Sequence, residues 1–316
     1  MSSPSTETES EALQDVFSER LVFGWWNTSL SPVGIERSDE AHKEIAKKVV
    51  KSLIDDLKID CLALGEVTDA NLTLLKESCG RQTLTTYDGT LKSGKLQFDT
   101  GIIYDTERLA IKEEKSTVIS HGGQNSKLAN RIDFISRFDN SPFHIFVSHW
   151  PSRAYTEDNV KRRKTLATRL KDEIDFIRKS IANASIILMG DFNDEPFDES
   201  MSYHLLATRD RHLAITKEDF LYNPFWRQIG ESEPHAWGNA RKSSAGSCFQ
   251  KDGKETRWRT FDQILFSPAF LGTSNWHLNE QETMILRTEF LVELVQNGAV
   301  HFDHLPVLSV IERRLN

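Results

Sequence analysis

The sequence predicts an α/β protein built on mixed sheets, and three observations carry that reading. Short apolar runs at residues 21–26, 61–64, 143–147 and 186–189, interrupted only by His144, read as strands buried on both faces. Amphipathic helical patterns separate several of these runs. Between residues 81 and 119 the texture changes to short strands with turn residues among them, which indicates antiparallel meandering rather than strict alternation of strand and helix.

In chain order, Leu21-Val-Phe-Gly-Trp-Trp-Asn27 is a strand whose last residue, Asn27, is polar and precedes a Ser/Pro loop. Ser38 or Asp39 caps a helix carrying Ile45, Val49, Val50, Leu53, Ile54 and Leu57 at helical spacing, which ends before Ile59. Cys61-Leu-Ala-Leu-Gly-Glu66 repeats the pattern of apolar run, glycine and polar group, and a helix follows over 71–78. Asp88-Gly89, Ser93-Gly94 and Asp105-Thr106 mark turns, 101–104 a strand, and 121–125 a flexible loop. Alternation over 131–137 predicts a half-exposed strand. The run 143–149 ends at His149, because Pro151 cannot continue a ladder.

A long helix is expected over 156–182, with Leu166, Leu170, Ile174, Ile177 and Ile181 inward. Its first half carries Lys161-Arg-Arg-Lys164, where the helix dipole favours anions; the quartet is either a solvated face or a phosphate holder. The central stretch is Ile186-Ile-Leu-Met-Gly-Asp-Phe-Asn-Asp-Glu195. Asp191 and Asn193 lie two apart in extended chain and so leave on one face. Beyond it come a helix over 199–208, an aromatic turn or short helix over 221–226, a loop-bearing hairpin over 240–253, a strand over 257–266 with Asp262 near its start, and a final strand after Asp303-His304. With no internal repeat and no linker, residues 19–316 are expected to form one domain behind a disordered leader, 1–18, whose first eleven residues are rich in Ser, Thr and Glu.

Composition narrows the classes. The 316 residues are 38% hydrophobic and 27% charged, as in a globular protein, and no apolar run approaches the ~20 residues of a membrane span. The start lacks the basic and apolar regions of a signal peptide. Three scattered cysteines, Cys61, Cys79 and Cys248, form no CxxC pair, which fits a reducing, cytoplasmic setting and argues against structural zinc. The net charge of −8 excludes a polycation that coats nucleic acid, while leaving room for a local basic groove.

Each strand-end residue has a bland reading alone: a solvated loop glutamate, a structural histidine, an Asp or Asn bonded to local backbone. Their regular recurrence does not, since sites in α/β sheets form at such edges. In order, Trp26-Asn27, Leu64-Gly-Glu66, Ser148-His149, Gly190-Asp-Phe-Asn193, Phe261-Asp-Gln-Ile-Leu265 and Phe302-Asp-His-Leu-Pro306 make the chain resemble the endonuclease/exonuclease/phosphatase superfamily, with the DNase I-like fold, over residues 20–313. The resemblance implies a four-layered α/β sandwich, two mixed sheets face to face with helices outside. It implies Mg²⁺ or Mn²⁺ held by Glu66, with Asn27 and Asp303 helping, as suits hard cations. By the same resemblance Asp262 and His304 form a carboxylate–histidine pair, His149 and Asn193 donate to phosphate oxygens, and Asp191 orients or deprotonates the attacking water. Whether Asp191 or His304 is the base stays open.

The superfamily spans nucleases, deadenylases, inositol phosphatases and sphingomyelinases. Arg-Thr-Phe-Asp262-Gln departs from the inositol 5-phosphatase pattern, and secreted sphingomyelinases carry signal peptides. His149-Trp-Pro-Ser-Arg153 and Leu221-Tyr-Asn-Pro-Phe-Trp226 resemble a bacterial branch usually described as nuclease-like. On this reading Arg131, Arg153, Lys161, Arg162 and Arg163 line a phosphate groove and Trp150 or Trp258 stacks on a base; the bland reading makes both tryptophans packing residues. The expectation is a phosphodiesterase, a nuclease on DNA or RNA. The rivals are a phosphomonoesterase or small-molecule phosphodiesterase using the same site, and a binding module with a dead site.

Overall fold

The computed structural model describes residues 17–314 apart from 91, 94–95, 122–123, 154–156, 235–236, 238–242, 273 and 299–300. Its strands are β1 (Phe17–Asn27), β2 (Cys61–Gly65), β3 (Leu84–Asp88), β4 (Lys92–Ser93), β5 (Leu96–Gln97), β6 (Thr100–Asp105), β7 (Leu109–His121), β8 (Gln124–Ser136), β9 (Pro142–His149), β10 (Ile186–Asp191), β11 (Ala207–Thr208), β12 (Leu221–Tyr222), β13 (Cys248–Phe249), β14 (Trp258–Arg259), β15 (Asp262–Phe266), β16 (Trp276–Ile285) and β17 (Val307–Arg314). The helices are α1 (Glu40–Lys51), α2 (Asp69–Glu77), α3 (Glu157–Ser180), α4 (Arg211–Thr216) and α5 (Glu289–Asn297).

Two mixed sheets pack face to face, in the orders β16-β17-β1-β2-β6-β3 and β11-β12-β15-β10-β9-β8-β7. Each has a parallel central pair, β1 with β2 and β9 with β10, flanked on both sides by antiparallel strands. Parallel neighbours need a crossover, and α1 and α3 provide it. The continuous apolar runs are explained by burial on two faces. Ile187 and Met189 of β10 join Phe23, Trp25, Phe143 and Ile145 in the core between the sheets. Ile186 and Leu188 instead meet Leu166, Leu170, Ile174 and Ile177 of α3 outside. Each such aliphatic side chain stabilises the fold by about 1.5–3 kcal/mol.

Helix α1 begins where Asp39 accepts a hydrogen bond from the His42 amide, the N-cap expected of that residue. It continues into a π-helical turn, Ser52–Asp56, after which Leu57 is exposed rather than inward. Ile181 likewise lies past the end of α3 and is exposed. Leu72 of α2 sits over Gly101 of β6, so close that a Cβ there would lie 2.4 Å from its Cδ1.

Several boundaries differ from expectation. Phe17 and Ser18, placed in the leader, belong to β1, with Phe17 opposite Arg314; residues 1–16 lie outside the described residues. The segment 199–208 forms one π-helical turn, Ser200–His204, and then β11 rather than a helix. The strand expected over 257–266 is two strands broken at Thr260 and Phe261, so β15 starts on Asp262. The loop expected at 121–125 begins and ends inside β7 and β8, while its two glycines fall outside the described residues. Strand β16 and helix α5 had no counterpart in the sequence reading.

Candidate active site

The register of the second sheet places three polar residues in one row. Asp191 lies opposite His149 on one side and opposite Asp262 on the other. The backbone at Gly190 makes this possible, since any Cβ there would lie 1.8 Å from the Ser148 carbonyl oxygen. On the facing sheet Asn27 ends β1 opposite Gly65, and Glu66 follows directly. Glu66 and Asn193 both adopt positive φ, 54° and 52°, a conformation costing non-glycine residues about 1–2 kcal/mol. Hydrogen bonds from the Ser31 amide and the Thr28 hydroxyl to the Glu66 carbonyl hold the first of these turns.

One oxygen of buried Asp191, Oδ2, is ringed by three donors. Asn27 Nδ2 is at 3.5 Å, His304 Nε2 at 3.7 Å and His149 Nε2 at 3.8 Å. These separations are looser than direct hydrogen bonds and leave Oδ2 open to a further partner. The other oxygen, Oδ1, accepts the Asn193 amide at 2.8 Å, which fixes the carboxylate plane. Burial pushes the Asp191 carboxyl up to about 6, against the opposing pull of His304.

Both histidines are held from behind by buried carboxylates. His304 Nδ1 lies 2.7 Å from Asp262 Oδ2, and Asp262 also accepts from Trp25 Nε1 and Ser247 Oγ, each at 2.7 Å. Burial disfavours the His304 charge, but Asp262 overrides it and lifts the ring well above the ordinary imidazole value. The Asp262–His304 pair expected from the sequence is therefore present as geometry. His149 Nδ1 lies 3.2 Å from Asp99 Oδ2, and Asp99 in turn accepts from Lys127 Nζ at 2.5 Å. Burial again opposes the charge, and Asp99 holds His149 up at about 9. Asp99 was missed by the sequence reading. Its signal was available: a carboxylate directly ahead of the apolar strand β6, the same pattern as Asp262.

Asn193 does not continue the extended chain as expected: β10 ends at Asp191 and Asn193 lies in a left-handed turn, where it donates one amide N–H to the Trp150 carbonyl at 2.9 Å and ties the turn to the end of β9. Glu66 Oε1 is 3.3 Å from Asn27 Nδ2, and Asp303 accepts from Ser29 Oγ at 3.1 Å. Glu66 and Asp303 line one cleft of about 560 Å³. Two carboxylates on an accessible cleft, with a carboxamide beside Glu66, are the oxygen-rich donor set that suits a hard divalent cation. Asp191, Asp262 and His304 also cluster closely, but both imidazole nitrogens there face carboxylates, so the trio reads as a hydrogen-bonded relay rather than a metal cage.

The expected phosphate groove is not assembled from the residues assigned to it. Arg131 forms a fork onto Asp133, at 2.9 Å through Nε and 2.5 Å through Nη2. Arg163 is buried, 2.9 Å from Asp194, and donates to the Pro151 and Ser152 carbonyls. Arg153 donates to the Asn193 carbonyl, binds Asp194 and Asp198, and lies over the Phe261 ring. Lys164 binds Glu199, and Arg162 donates to Ser126. Of these cations Arg153 and Arg163 brace the turn carrying Asp191 and Asn193, and the others are paired away from it. Trp150 is 1% exposed and edge-on to Phe192, and Trp258 is 8% exposed beside Phe249, so neither presents a face to a base. Charge and aromaticity are visible in sequence; the internal pairing of the cations and the burial of the tryptophans are not.

Solved structures share this architecture. An endonuclease/exonuclease/phosphatase family protein from Bacteroides thetaiotaomicron is 16% identical with a TM-score of 0.59, over 95% of this chain and 97% of its own. A mannosyl-6-phosphatase from the same organism is 16% identical with a TM-score of 0.58, over 92% of this chain and 99% of its own. D. rerio TDP2 in complex with a single-strand DNA product is 15% identical with a TM-score of 0.59, over 93% and 99%. No curated protein matches the chain in sequence. At these identities the structures speak for the fold, two mixed sheets enclosed by helices. The endonuclease/exonuclease/phosphatase family model, however, matches residues 48–301, a span that takes in Glu66, the whole Asp191 row and Asp262. The chain belongs to that family of metal-dependent phosphoester hydrolases.

Proposed function

We propose that the chain hydrolyses a phosphoester by in-line attack of water, with Asp191 as general base. The observation that carries this is the Asp191 row. A buried carboxyl poised near neutrality stands between two imidazoles that buried carboxylates keep cationic. A histidine already protonated is a poor base, which assigns His304 and His149 as donors to phosphate oxygens. Asn193 orients the base and the turn around it. Glu66, Asn27 and Asp303 are the ligands for Mg²⁺ or Mn²⁺, which when bound supplies positive charge at the phosphate and the leaving oxygen. In the step itself the water oxygen bonds to phosphorus, its proton passes to Asp191, and the bond to the leaving oxygen breaks.

For the substrate, the internal pairing of Arg131, Arg153, Arg163 and Lys164 favours a compact phosphoester, a phosphomonoester or a small phosphodiester of a nucleotide, lipid or sugar. A net charge of −8 agrees. The second reading, a nuclease on DNA or RNA, draws support from the fold shared with D. rerio TDP2, whose structure holds a single-strand DNA product. One panel separates them: p-nitrophenyl phosphate mono- and diesters, plasmid, single-stranded DNA and RNA, each with Mg²⁺, Mn²⁺ or EDTA. Metal-dependent release of p-nitrophenol without cleavage of polymer supports the compact substrate, and cleavage of polymer at higher efficiency supports the nuclease. A folded protein that turns over none of them with either metal overturns both.

A further inference from the structure

The cleft that holds Glu66 and Asp303 has a second wall of opposite character. It is formed by Arg37, in the loop after β1, His42, in the first turn of α1, and His301, ahead of β17. The Arg37 backbone is anchored, its amide donating to the Leu30 carbonyl at 3.1 Å, while its side chain is exposed. The neighbouring carboxylates are engaged elsewhere. Glu36 accepts from Asn71, Ser31 and Ser38, and Asp39 caps α1. The Arg37 guanidinium therefore has no ion-pair partner among the described residues, unlike Arg131, Arg153 and Arg163.

His42 provides the independent observation. It is 2% exposed, packs edge-on against Phe302 at 4.3 Å, and lies 6.0 Å from the His301 ring. Its Nε2 is buried with no hydrogen-bond partner among the described residues. Buried polar groups are almost always paired, and one that is not is commonly completed by a ligand or a water. Burial presses His42 below the usual imidazole range.

We propose that this wall is a specificity subsite for a second phosphate of the substrate, contacted by Arg37 and His301 and completed by a hydrogen bond from His42. The inference rests on the phosphoester reading above and narrows it, because the preferred substrate then carries a phosphate besides the one under attack. Arginine suits the task through its planar fork, and a charge-assisted pair of this kind supports roughly tenfold discrimination or more.

The test compares two chromogenic diesters, thymidine 5′-(p-nitrophenyl phosphate) and the same compound bearing a 3′-phosphate. Wild type is expected to favour the 3′-phosphorylated compound in kcat/KM, mainly through KM. Arg37→Ala should reduce that preference about tenfold, and Arg37→Lys should restore part of it. Equal kcat/KM for the two compounds in wild type, or a preference untouched by Arg37→Ala, overturns the subsite while leaving the hydrolase reading standing. Hydrolysis of neither compound counts against the hydrolase reading instead. In that case calorimetric titration of pyrophosphate into EDTA-treated protein decides the subsite: weaker binding in Arg37→Ala supports it, and identical binding overturns it. Oligonucleotides with and without a terminal phosphate then separate a nucleic-acid end from a free small molecule as the source of that phosphate.

Discussion

Replacing Asp262 by asparagine keeps the side-chain shape and removes the charge behind His304. Three donors converge on this carboxylate, Trp25 Nε1 on Oδ1 and both Ser247 Oγ and His304 Nδ1 on Oδ2, all at 2.7 Å. An amide accepts at only one of its two ends. With its oxygen toward His304 and Ser247, the Trp25 N–H is left facing an NH₂; turned round, two donors are orphaned. Each buried donor without an acceptor costs about 1–3 kcal/mol. Loss of the buried charge brings the total to roughly 3–5 kcal/mol, which an ordinary domain survives. The His304 pKa should fall, since the largest influence raising it is gone. Loss of a positioned donor should then lower kcat by about 10²–10⁴-fold. Trp25→Phe is the control, removing the Oδ1 donor and leaving the His304 pair intact, so it should cost stability with little loss of rate.

The assay is hydrolysis of bis(p-nitrophenyl) phosphate by Asp262→Asn, His304→Ala and the double variant, with urea denaturation for stability and NMR titration of His304. The expected losses in rate are strongly non-additive, because each change disables one unit. Additive losses, or a folded Asp262→Asn enzyme of near-normal rate with His304 still titrating high, would falsify the pairing as a working part of the site.

Three further outcomes are expected. Glu66→Gln should abolish metal-dependent hydrolysis with little change in urea stability, and a folded variant still active at limiting Mg²⁺ would remove Glu66 from the ligand set. Arg163→Met should destabilise the protein by about 1–3 kcal/mol, since it removes one of the two guanidinium partners of buried Asp194 and leaves that carboxylate to Arg153 and Ser200; a stable variant with weakened substrate binding would return Arg163 to the phosphate-binding role. For Asp99→Asn the pH dependence is distinctive. His149 is raised in the folded state to about 9 from its unfolded value near ~6.5, so the Asp99–His149 pair stabilises fully below the lower value and less as pH rises through the higher. In metal-free protein the stability gap between wild type and Asp99→Asn should be wide at mildly acidic pH and narrow at strongly alkaline pH. A gap independent of pH would show that His149 is not held charged.

What the sequence made legible follows from burial on two faces. A strand such as β10, with Ile187 and Met189 against one sheet and Ile186 and Leu188 against a helix, has no polar residue until it leaves the core. A polar residue at its end is therefore visible as an interruption, and Asn27, His149, Asp191 and Asp262 were all found that way. Strand β16 lacked that contrast, since most of its residues are half-buried and polar. Asp99 was visible as a carboxylate ahead of β6, but its partner was not. Its meaning lies in His149, fifty positions away, and nothing in one sequence ties the two together.

The misread cations show why the Gly-Asp-Phe-Asn stretch is followed by further acidic residues. Asp194 lies 2.9 Å from the Arg163 guanidinium, accepts from Ser200, and through its own carbonyl accepts from Gln263 at 2.8 Å. Glu195 accepts the Thr260 amide at 3.0 Å, directly beside the β15 segment that begins with Asp262. The turn after β10 is thus bonded to helix α3 on one side and to the start of β15 on the other. Asp191 and Asn193 are positioned by both connections. A phosphoester site needs its base and donors held to within a fraction of an ångström, and a turn braced only by its own backbone would not do that. Of the arginines that looked like substrate contacts, Arg153 and Arg163 instead fix the turn that carries Asp191.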